Sequence, residues 1–217
     1  MENKTLIEQT ADFVKQELSG AEGGHDWWHV VRVWNNTRLL LQEENANRLI
    51  CELGALLHDI ADAKFHDGDD EKGLIVARQF LEKQHAVPEI IGAVIDIIQH
   101  VSFKGGIDEN KPKTPELKVV QDADRLDAMG AIGIARTFNY GGFKNRKIYD
   151  PGVPPRNYEN KDEYYRSDAP TINHFYEKLL LLKGLMNTKA GKRIAEGRHA
   201  FMEEFLQRFY GEWEGKM

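Results

Sequence analysis

The chain has 217 residues, 41% of them hydrophobic and 29% charged, an ordinary composition for a globular protein with a core of its own. Its 29 basic and 35 acidic residues give a net charge of −6, which disfavours binding to long nucleic acids, because such interfaces need basic surface. The single cysteine, Cys51, excludes an internal disulfide and a cysteine-based zinc cluster.

Nothing in the sequence indicates export or membrane insertion. Residues 1–4 lack the basic and apolar regions of a signal peptide. The longest uncharged apolar run, residues 90–95, is far shorter than the roughly 20 residues that a transmembrane helix needs. We therefore expect a soluble cytoplasmic protein with neither a membrane nor a nucleic acid as its partner.

Apolar residues recur at helical spacing along almost the whole chain, and no run alternates long enough to predict a strand. Two early stripes show this spacing: Trp27, Val30, Val31 and Trp34, then Leu49, Leu53, Leu56 and Ile60. The next helical pattern starts within residues 67–71 and continues through residue 81. Further helical patterns span residues 89–101, 117–135, 168–186 and 188–213. The sequence therefore predicts an all-α helical bundle.

Two segments interrupt this pattern. Residues 104–115 contain a Gly-Gly pair and two prolines and predict a loop between helices. Residues 140–170, rich in glycine, proline and tyrosine, predict a longer loop, and irregular stretches of that length are usually functional or flexible. A domain linker is the alternative. We favour a single domain over residues 1–217, with C-terminal helices over about 168–213.

Six of the eight histidines lie in the first hundred residues, and five of those six have an acidic residue within three positions. Imidazole and carboxylate together are ligands for divalent metals. His25 and His29 are four residues apart, which suits a pair of ligands on one helix. The alternative is a solvated helix face, since Arg32 and Asn36 continue the same side.

The doublet His58-Asp59 follows an apolar run at residues 53–57 that should bury the end of its helix, and small residues beneath His58 leave space there. A buried ionisable pair is costly unless it is hydrogen-bonded or bound to a metal. The alternative is an ordinary helix end, at which His58 is satisfied locally and Asp59 begins the next turn.

Three carboxylates lie on the apolar helical segment at residues 121–127. Asp124 and Asp127 both share a face with apolar residues, so either should point toward the core, where an unpaired carboxylate is rare. A salt bridge to Arg125 or Arg136 and metal ligation are both compatible with this pattern. Periodicity does not choose between the two aspartates.

These elements together resemble the HD-domain superfamily of metal-dependent phosphohydrolases. The resemblance rests on His29 in His-Val-Val-Arg-Val, the doublet His58-Asp59, and Ala-Asp-Arg-Leu, which contains Asp124. Residues 58–65 and 171–180 are also similar to a small bacterial branch called YpgQ or YedJ, so the resemblance covers most of the chain. It implies an all-α HD fold that holds a metal between helices, with the ligands His29, His58, Asp59 and Asp124.

A six-coordinate ion in such a site would keep two positions open, one for a phosphate oxygen and one for a water of lowered pKa. Mn²⁺ is the favoured ion, although Mg²⁺, Fe²⁺, Co²⁺, Ni²⁺ and Zn²⁺ accept similar ligands. The resemblance assigns Asp62 to orient or deprotonate the water, with an ion pair to Lys64 as the alternative. Lys64 is also a candidate phosphate contact, and Arg32 and Arg125 are candidates to stabilise charge on the phosphoryl oxygens.

Three further residues are candidates to bind substrate, each with a structural alternative. His100 ends an apolar helix and is otherwise a core histidine with a local partner. Lys144 lies in the long loop, beside tyrosines, and is otherwise solvated. Lys178 lies within an apolar segment and otherwise extends to water.

The resemblance implies hydrolysis of nucleotides, with deoxynucleoside triphosphates split to monophosphate and pyrophosphate as the favoured reaction. The alternatives are a phosphodiesterase or alarmone hydrolase of the same superfamily, and a nucleotide-sensing domain without turnover. The sequence leaves the oligomeric state open, and a homodimer is one of the candidates. It also leaves open whether Asp127, His25 or His66 contributes to the site.

Overall fold

The computed structural model describes residues 5–19, 26–60, 70–101, 114–156 and 168–216, and every regular element in these ranges is helical. The elements are α1 Leu6–Glu17, α2 Trp27–Leu40, α3 Arg48–Leu57, α4 Asp70–Lys83, α5 Pro88–Val101, α6 Pro115–Asp127, α7 Gly130–Phe143, α8 Asn173–Glu177, a 3₁₀ helix Leu179–Leu185 and α9 Lys189–Trp213. The predicted all-α fold is confirmed. None of the helices in these ranges is long and apolar enough to cross a bilayer.

The chain divides into two compact units, residues 1–124 and 125–217, with the division inside α6. The single domain with a long loop stays a prediction. In the first unit α3 packs against α1, α2 and α5, and each of its residues 51–57 is buried. A Cβ on Gly54 would lie 3.0 Å from side-chain atoms of Ile97, so glycine permits the close approach of α3 and α5.

A buried carboxylate joins α2 to α3. The side chain of Glu52 is 2% exposed, and its Oε2 accepts hydrogen bonds from Trp34 Nε1 at 2.7 Å and Arg38 Nε at 2.8 Å. Its Oε1 accepts one from Arg48 Nε at 2.7 Å. Burial raises the pKa of Glu52, but these hydrogen bonds outweigh burial and leave the pKa lowered overall. The charged carboxylate therefore holds α2, the helix that carries His29, against α3, the helix that ends at His58.

We expect Glu52→Gln to lower the free energy of unfolding at neutral pH by about 1–3 kcal/mol, because an amide offers one acceptor oxygen where the carboxylate offers two. A lowered folded-state pKa stabilises the protein above the unfolded-state pKa of about 4.3, and this contribution is lost as the pH falls through the folded-state value. The difference between wild type and variant should therefore shrink in acid. Urea unfolding at neutral pH and below about pH 4 measures both effects.

The control for this experiment is Glu204→Gln. Glu204 pairs with Arg208 at 2.9 Å on an exposed face of α9, so its replacement should change stability by less than about 0.5 kcal/mol. Equal losses in the two variants would contradict a special contribution from Glu52.

The prediction of one continuous helix over residues 117–135 is wrong. Helix α6 ends at Asp127, closed by hydrogen bonds from Ala128 N to Arg125 O and from Met129 N to Leu126 O, each 3.1 Å. Gly130 then adopts a φ of +68°, a left-handed conformation that glycine takes without strain, and begins α7. Asp124 and Asp127 therefore lie on a different helix from residues 130–135, which the sequence pattern placed on the same helix.

Two other boundaries differ from the predictions. The predicted helix over residues 168–186 is instead α8, which begins at residue 173, and the 3₁₀ helix, because Lys178 between them has non-helical dihedrals, φ −144° and ψ −58°. Helix α7 continues to Phe143, so the long loop begins after residue 143, not at 140. The remaining helices match closely, including α9, which Thr188 caps by accepting a hydrogen bond from Gly191 N at 2.9 Å. Residues 61–69, 102–113 and 157–167 lie outside the described ranges.

Candidate metal centre

Helix α2 presents His29 in its first turn. The Asp26 side chain caps the helix by accepting a hydrogen bond from the His29 main-chain N at 2.8 Å. His29 is only 1% exposed, so the alternative of a solvated helix face is wrong. His25, the other member of the proposed i, i+4 pair, lies outside the described residues.

His58 is the residue that ends α3, and a local hydrogen bond orients its ring. His58 Nδ1 lies 2.7 Å from the Ala55 carbonyl oxygen. A carbonyl only accepts, so Nδ1 carries the proton of the neutral ring and Nε2 carries the lone pair. This is the arrangement in which a histidine offers Nε2 to a metal. The two interpretations of the doublet therefore coexist, since the histidine that ends the helix also presents a ligand atom.

Four side chains converge in the first unit. The two Nε2 atoms of His29 and His58 lie 3.2 Å apart. Asp59 places Oδ2 3.2 Å from His29 Nε2 and Oδ1 3.4 Å from His58 Nε2. Asp124 Oδ1 lies 3.6 Å from His29 Nε2 and 4.0 Å from His58 Nε2. Residues 29, 58, 59 and 124 are thus brought together from α2, the end of α3 and α6.

This donor set fits a divalent ion. Ligand atoms bound at about 2.1 Å and at right angles around one ion lie about 3.0 Å apart, close to the shortest separations seen here. His29, His58 and Asp59 each supply a ligand atom within 4.8 Å of the other two. Both histidine side chains are 2% exposed, Asp59 is 10% exposed and Asp124 is 30% exposed. The cluster is therefore enclosed at the imidazoles and reaches solvent at Asp124.

The structure distinguishes between Asp124 and Asp127, which periodicity did not. Asp124 lies in the cluster, whereas Asp127, only 1% exposed, places Oδ2 2.5 Å from Arg136 Nη1. The ion pair to Arg136, one of the two alternatives compatible with the sequence, therefore accounts for the burial of Asp127.

Of the other predicted residues in the first unit, Arg32 is half-buried on α2, one turn after His29. His100 lies in the last turn of α5 and donates from Nδ1 to the Asp96 carbonyl at 2.8 Å. Its neutral ring therefore offers Nε2 as an acceptor, and donation to a substrate requires the protonated ring. Asp62, Lys64 and His66 lie outside the described residues.

Three predicted residues lie in the second unit. Arg125 donates to the main-chain carbonyl of Leu185. Lys144 ends α7, with Nζ 5.2 Å from the ring centroid of Phe143 and 5.8 Å from that of Tyr140. Lys178 is half-buried between α8 and the 3₁₀ helix.

The sequence pattern placed Asn36 only on the alternative solvated face of α2, whereas the structure buries it. Asn36 is 9% exposed, and its Nδ2 donates to the Ala123 carbonyl at 3.0 Å. The signal in the sequence is its position seven residues after His29, which places both on one face of α2. The partner on α6 was not predictable from that spacing.

Comparison with known proteins identifies the family. Residues 27–129 match the family model of the HD domain, a range that includes all four converging side chains. The Bacillus subtilis (strain 168) protein YpgQ is 36% identical over 210 residues, which cover 95% of this chain and 93% of the relative. The chain belongs to the HD-domain superfamily.

Similar solved structures extend this result. An HD-superfamily hydrolase from Bacillus thuringiensis is 45% identical, with a TM-score of 0.77 and 96% of each chain covered. A Lactobacillus plantarum protein is 38% identical, with a TM-score of 0.84 and coverage of 99% of this chain and 100% of that one. Bacillus subtilis YpgQ in complex with ADP is 33% identical, with a TM-score of 0.76 and coverage of 97% and 100%.

The predicted membership of the superfamily and the predicted enzyme class are confirmed. The chain is an HD-domain metal-dependent phosphohydrolase, and the HD domain implies a divalent ion. The cluster of His29, His58 and Asp59 has the composition and spacing to bind such an ion.

Proposed function

We propose that this HD-domain protein hydrolyses nucleoside triphosphates, with deoxynucleoside triphosphates favoured, to the monophosphate and pyrophosphate. The observation that carries the nucleotide assignment is the ADP complex of YpgQ, a relative that matches this chain over nearly its full length. The choice of triphosphates, and of the bond cleaved, rests on the resemblance of residues 58–65 and 171–180 to the YpgQ or YedJ branch.

We assign the ion to His29, His58, Asp59 and Asp124, and we favour Mn²⁺. A bound divalent ion lowers the pKa of a water and polarises a phosphoryl oxygen. The Nδ1 hydrogen bond to the Ala55 carbonyl keeps His58 in the tautomer that exposes the Nε2 lone pair. Two neutral imidazoles and two carboxylates balance the charge of such an ion. The partial exposure of Asp124 leaves the centre accessible to a substrate from that side.

The remaining residues keep the roles that the sequence suggests. Asp62 orients or deprotonates the attacking water, and Lys64 contacts phosphate. Arg32, one turn after His29, and Arg125 are assigned to the charge that develops on the phosphoryl oxygens. His100 contacts the substrate through Nε2, since Nδ1 is committed to the Asp96 carbonyl.

Positive charge in the second unit supports a role for Lys178 and Lys144 in binding polyphosphate. Burial, together with the nearby charges of Lys178, Arg146 and Arg136, lowers the pKa of His174 to about 3, so His174 is neutral among cations. Arg146 also lies 5.6 Å from the Tyr140 ring centroid, beside Lys144. Cations beside aromatic rings suit the phosphates and base of a nucleotide.

A product-resolved panel tests this function. Purified protein with Mn²⁺ is offered deoxynucleoside triphosphates, ribonucleoside triphosphates, guanosine tetraphosphate, cyclic dinucleotides and simple phosphate monoesters. We expect deoxynucleoside triphosphates to yield monophosphate and pyrophosphate, and we expect chelation of the metal to abolish both products. Products are separated by ion-exchange chromatography.

Other outcomes of the panel identify the alternatives. Orthophosphate release would place the cleavage at a different bond, and selective turnover of cyclic dinucleotides or guanosine tetraphosphate would indicate a phosphodiesterase or an alarmone hydrolase. Binding of nucleotide and metal without any product would indicate a sensing domain. Each of these results would contradict the proposed reaction.

A further inference from the structure

We propose that Asn36 is a positioning residue of the metal centre, which acts by holding the main chain beside Asp124 against α2, the helix that carries His29. This inference rests on the metal site proposed above. Asn36 acts on the backbone next to one of the four donors, and it is not itself assigned as a ligand.

The contact itself is direct and buried. Asn36 Nδ2 donates to the carbonyl oxygen of Ala123 at 3.0 Å, and Ala123 immediately precedes Asp124. Asn36 is 9% exposed and Ala123 is fully buried, so water does not readily replace this donor. Because Asn36 and His29 are on the same face of α2, the bond fixes α6 relative to the face that presents His29.

Asp124 is the donor that most depends on such a constraint. It is the most exposed of the four, and its oxygen lies 3.6 and 4.0 Å from the two Nε2 atoms, against 3.2 and 3.4 Å for Asp59. Asp59 follows His58 directly in the chain, so the two donors are positioned together. Asp124 reaches the cluster from a helix 65 residues further along the chain, so its position depends on how α6 is held.

Other bonds hold α6 in different places. Gln121 Nε2 donates to the His100 carbonyl at 2.9 Å and fixes α6 to the end of α5, which carries none of the four donors. Glu116 accepts from Asn47 N at 2.9 Å and joins α6 to the start of α3. That contact lies eight residues before Asp124, about 12 Å along the helix. The Asn36 bond is adjacent to the ligand and leads to a helix that carries another ligand.

The test is a double-mutant cycle on the affinity for Mn²⁺. Electron paramagnetic resonance and calorimetry follow the titration of each protein with Mn²⁺ in the absence of nucleotide. Asn36→Leu keeps the volume and removes the donor. We expect it to raise the dissociation constant for Mn²⁺ about ten-fold, the low end of the effect of removing a hydrogen bond that orients a metal ligand. In the Asp124→Asn background the same change should have no further effect, because Asn36 acts through Asp124.

A matched control separates this effect from a general loss of stability. Asn173 is 1% exposed, and its Nδ2 donates to the Val153 carbonyl at 2.9 Å, which is the same type of bond in the second unit. Asn173→Leu should leave the Mn²⁺ affinity unchanged. Circular dichroism checks that each variant is folded. If Asn36→Leu does not fold, the same double-mutant cycle is measured with Asn36→Ala.

The outcomes distinguish this inference from the proposed site. If wild type does not bind Mn²⁺, or Asp124→Asn binds it as tightly as wild type, the proposed site fails. If wild type binds and Asp124→Asn is weakened, but Asn36→Leu binds like wild type, only the positioning role fails. An equal effect of Asn36→Leu with and without Asp124 would also overturn that role, since the residue would then act on affinity independently of the aspartate.

Discussion

Asp59→Ala is expected to lower turnover at least about a thousand-fold while the chain remains folded, because it removes one of the two carboxylates of the proposed metal centre. Asp59 has an oxygen within 3.4 Å of each histidine Nε2, so its loss weakens both the binding of the ion and the balance of its charge. The measurement is the rate of pyrophosphate release from a deoxynucleoside triphosphate with saturating Mn²⁺. Circular dichroism and thermal unfolding show whether the variant has kept its fold.

Asp12→Ala is the matched control, since Asp12 is an exposed carboxylate on α1. It should keep wild-type turnover within about two-fold. Wild-type turnover in a folded, metal-loaded Asp59→Ala variant would rule out Asp59 as a ligand. It would require the reaction to proceed at another site.

The second large effect is a contrast between two aspartates three residues apart. Asp124→Asn should weaken Mn²⁺ binding at least about ten-fold and lower turnover at least about a hundred-fold, because its oxygen lies 3.6 Å from His29 Nε2. Asp127→Asn should leave metal affinity unchanged but lower the free energy of unfolding by about 1–3 kcal/mol, because it weakens the buried pair with Arg136. Metal titration and urea unfolding of both variants measure these effects.

Either variant can contradict its assignment. A loss of Mn²⁺ affinity in Asp127→Asn comparable with that in Asp124→Asn would make Asp127 part of the metal centre. Full metal affinity in Asp124→Asn would remove Asp124 from the ligand set. Arg136→Met should lower stability at least as much as Asp127→Asn without affecting metal binding, since it takes this cation away from a buried carboxylate.

The helical class and the family were predictable from the sequence because both depend on local signals. Apolar residues at helical spacing predict helices whatever their partners, and the described residues confirm an all-α fold. The ordered appearance of His29, His58-Asp59 and Asp124 along the chain indicates the HD-domain superfamily, and the similarity to known proteins confirms that membership. The assignment of these four residues as ligands stays a proposal.

Helix boundaries were less predictable where the backbone leaves helical geometry without an obvious change in composition. Helix α6 ends at Asp127, Met129 is extended and Gly130 takes a positive φ, yet the apolar spacing continues past them. Lys178 interrupts a leucine-rich segment in the same way, by a backbone conformation that its own side chain does not indicate. Periodicity reports which side of a helix is apolar, but it does not detect such short breaks.

The sequence by itself determined the fold class, the family and the motif from which the metal centre is proposed, since residue type and spacing carry that information. Only the tertiary structure decided between residues of equal pattern. It placed Asp124 among the imidazoles and Asp127 beside Arg136, and it joined Asn36 to the main chain of Ala123, 87 residues away. These outcomes depend on which helices pack together and at what distance, and hydrophobic periodicity along one helix contains neither quantity.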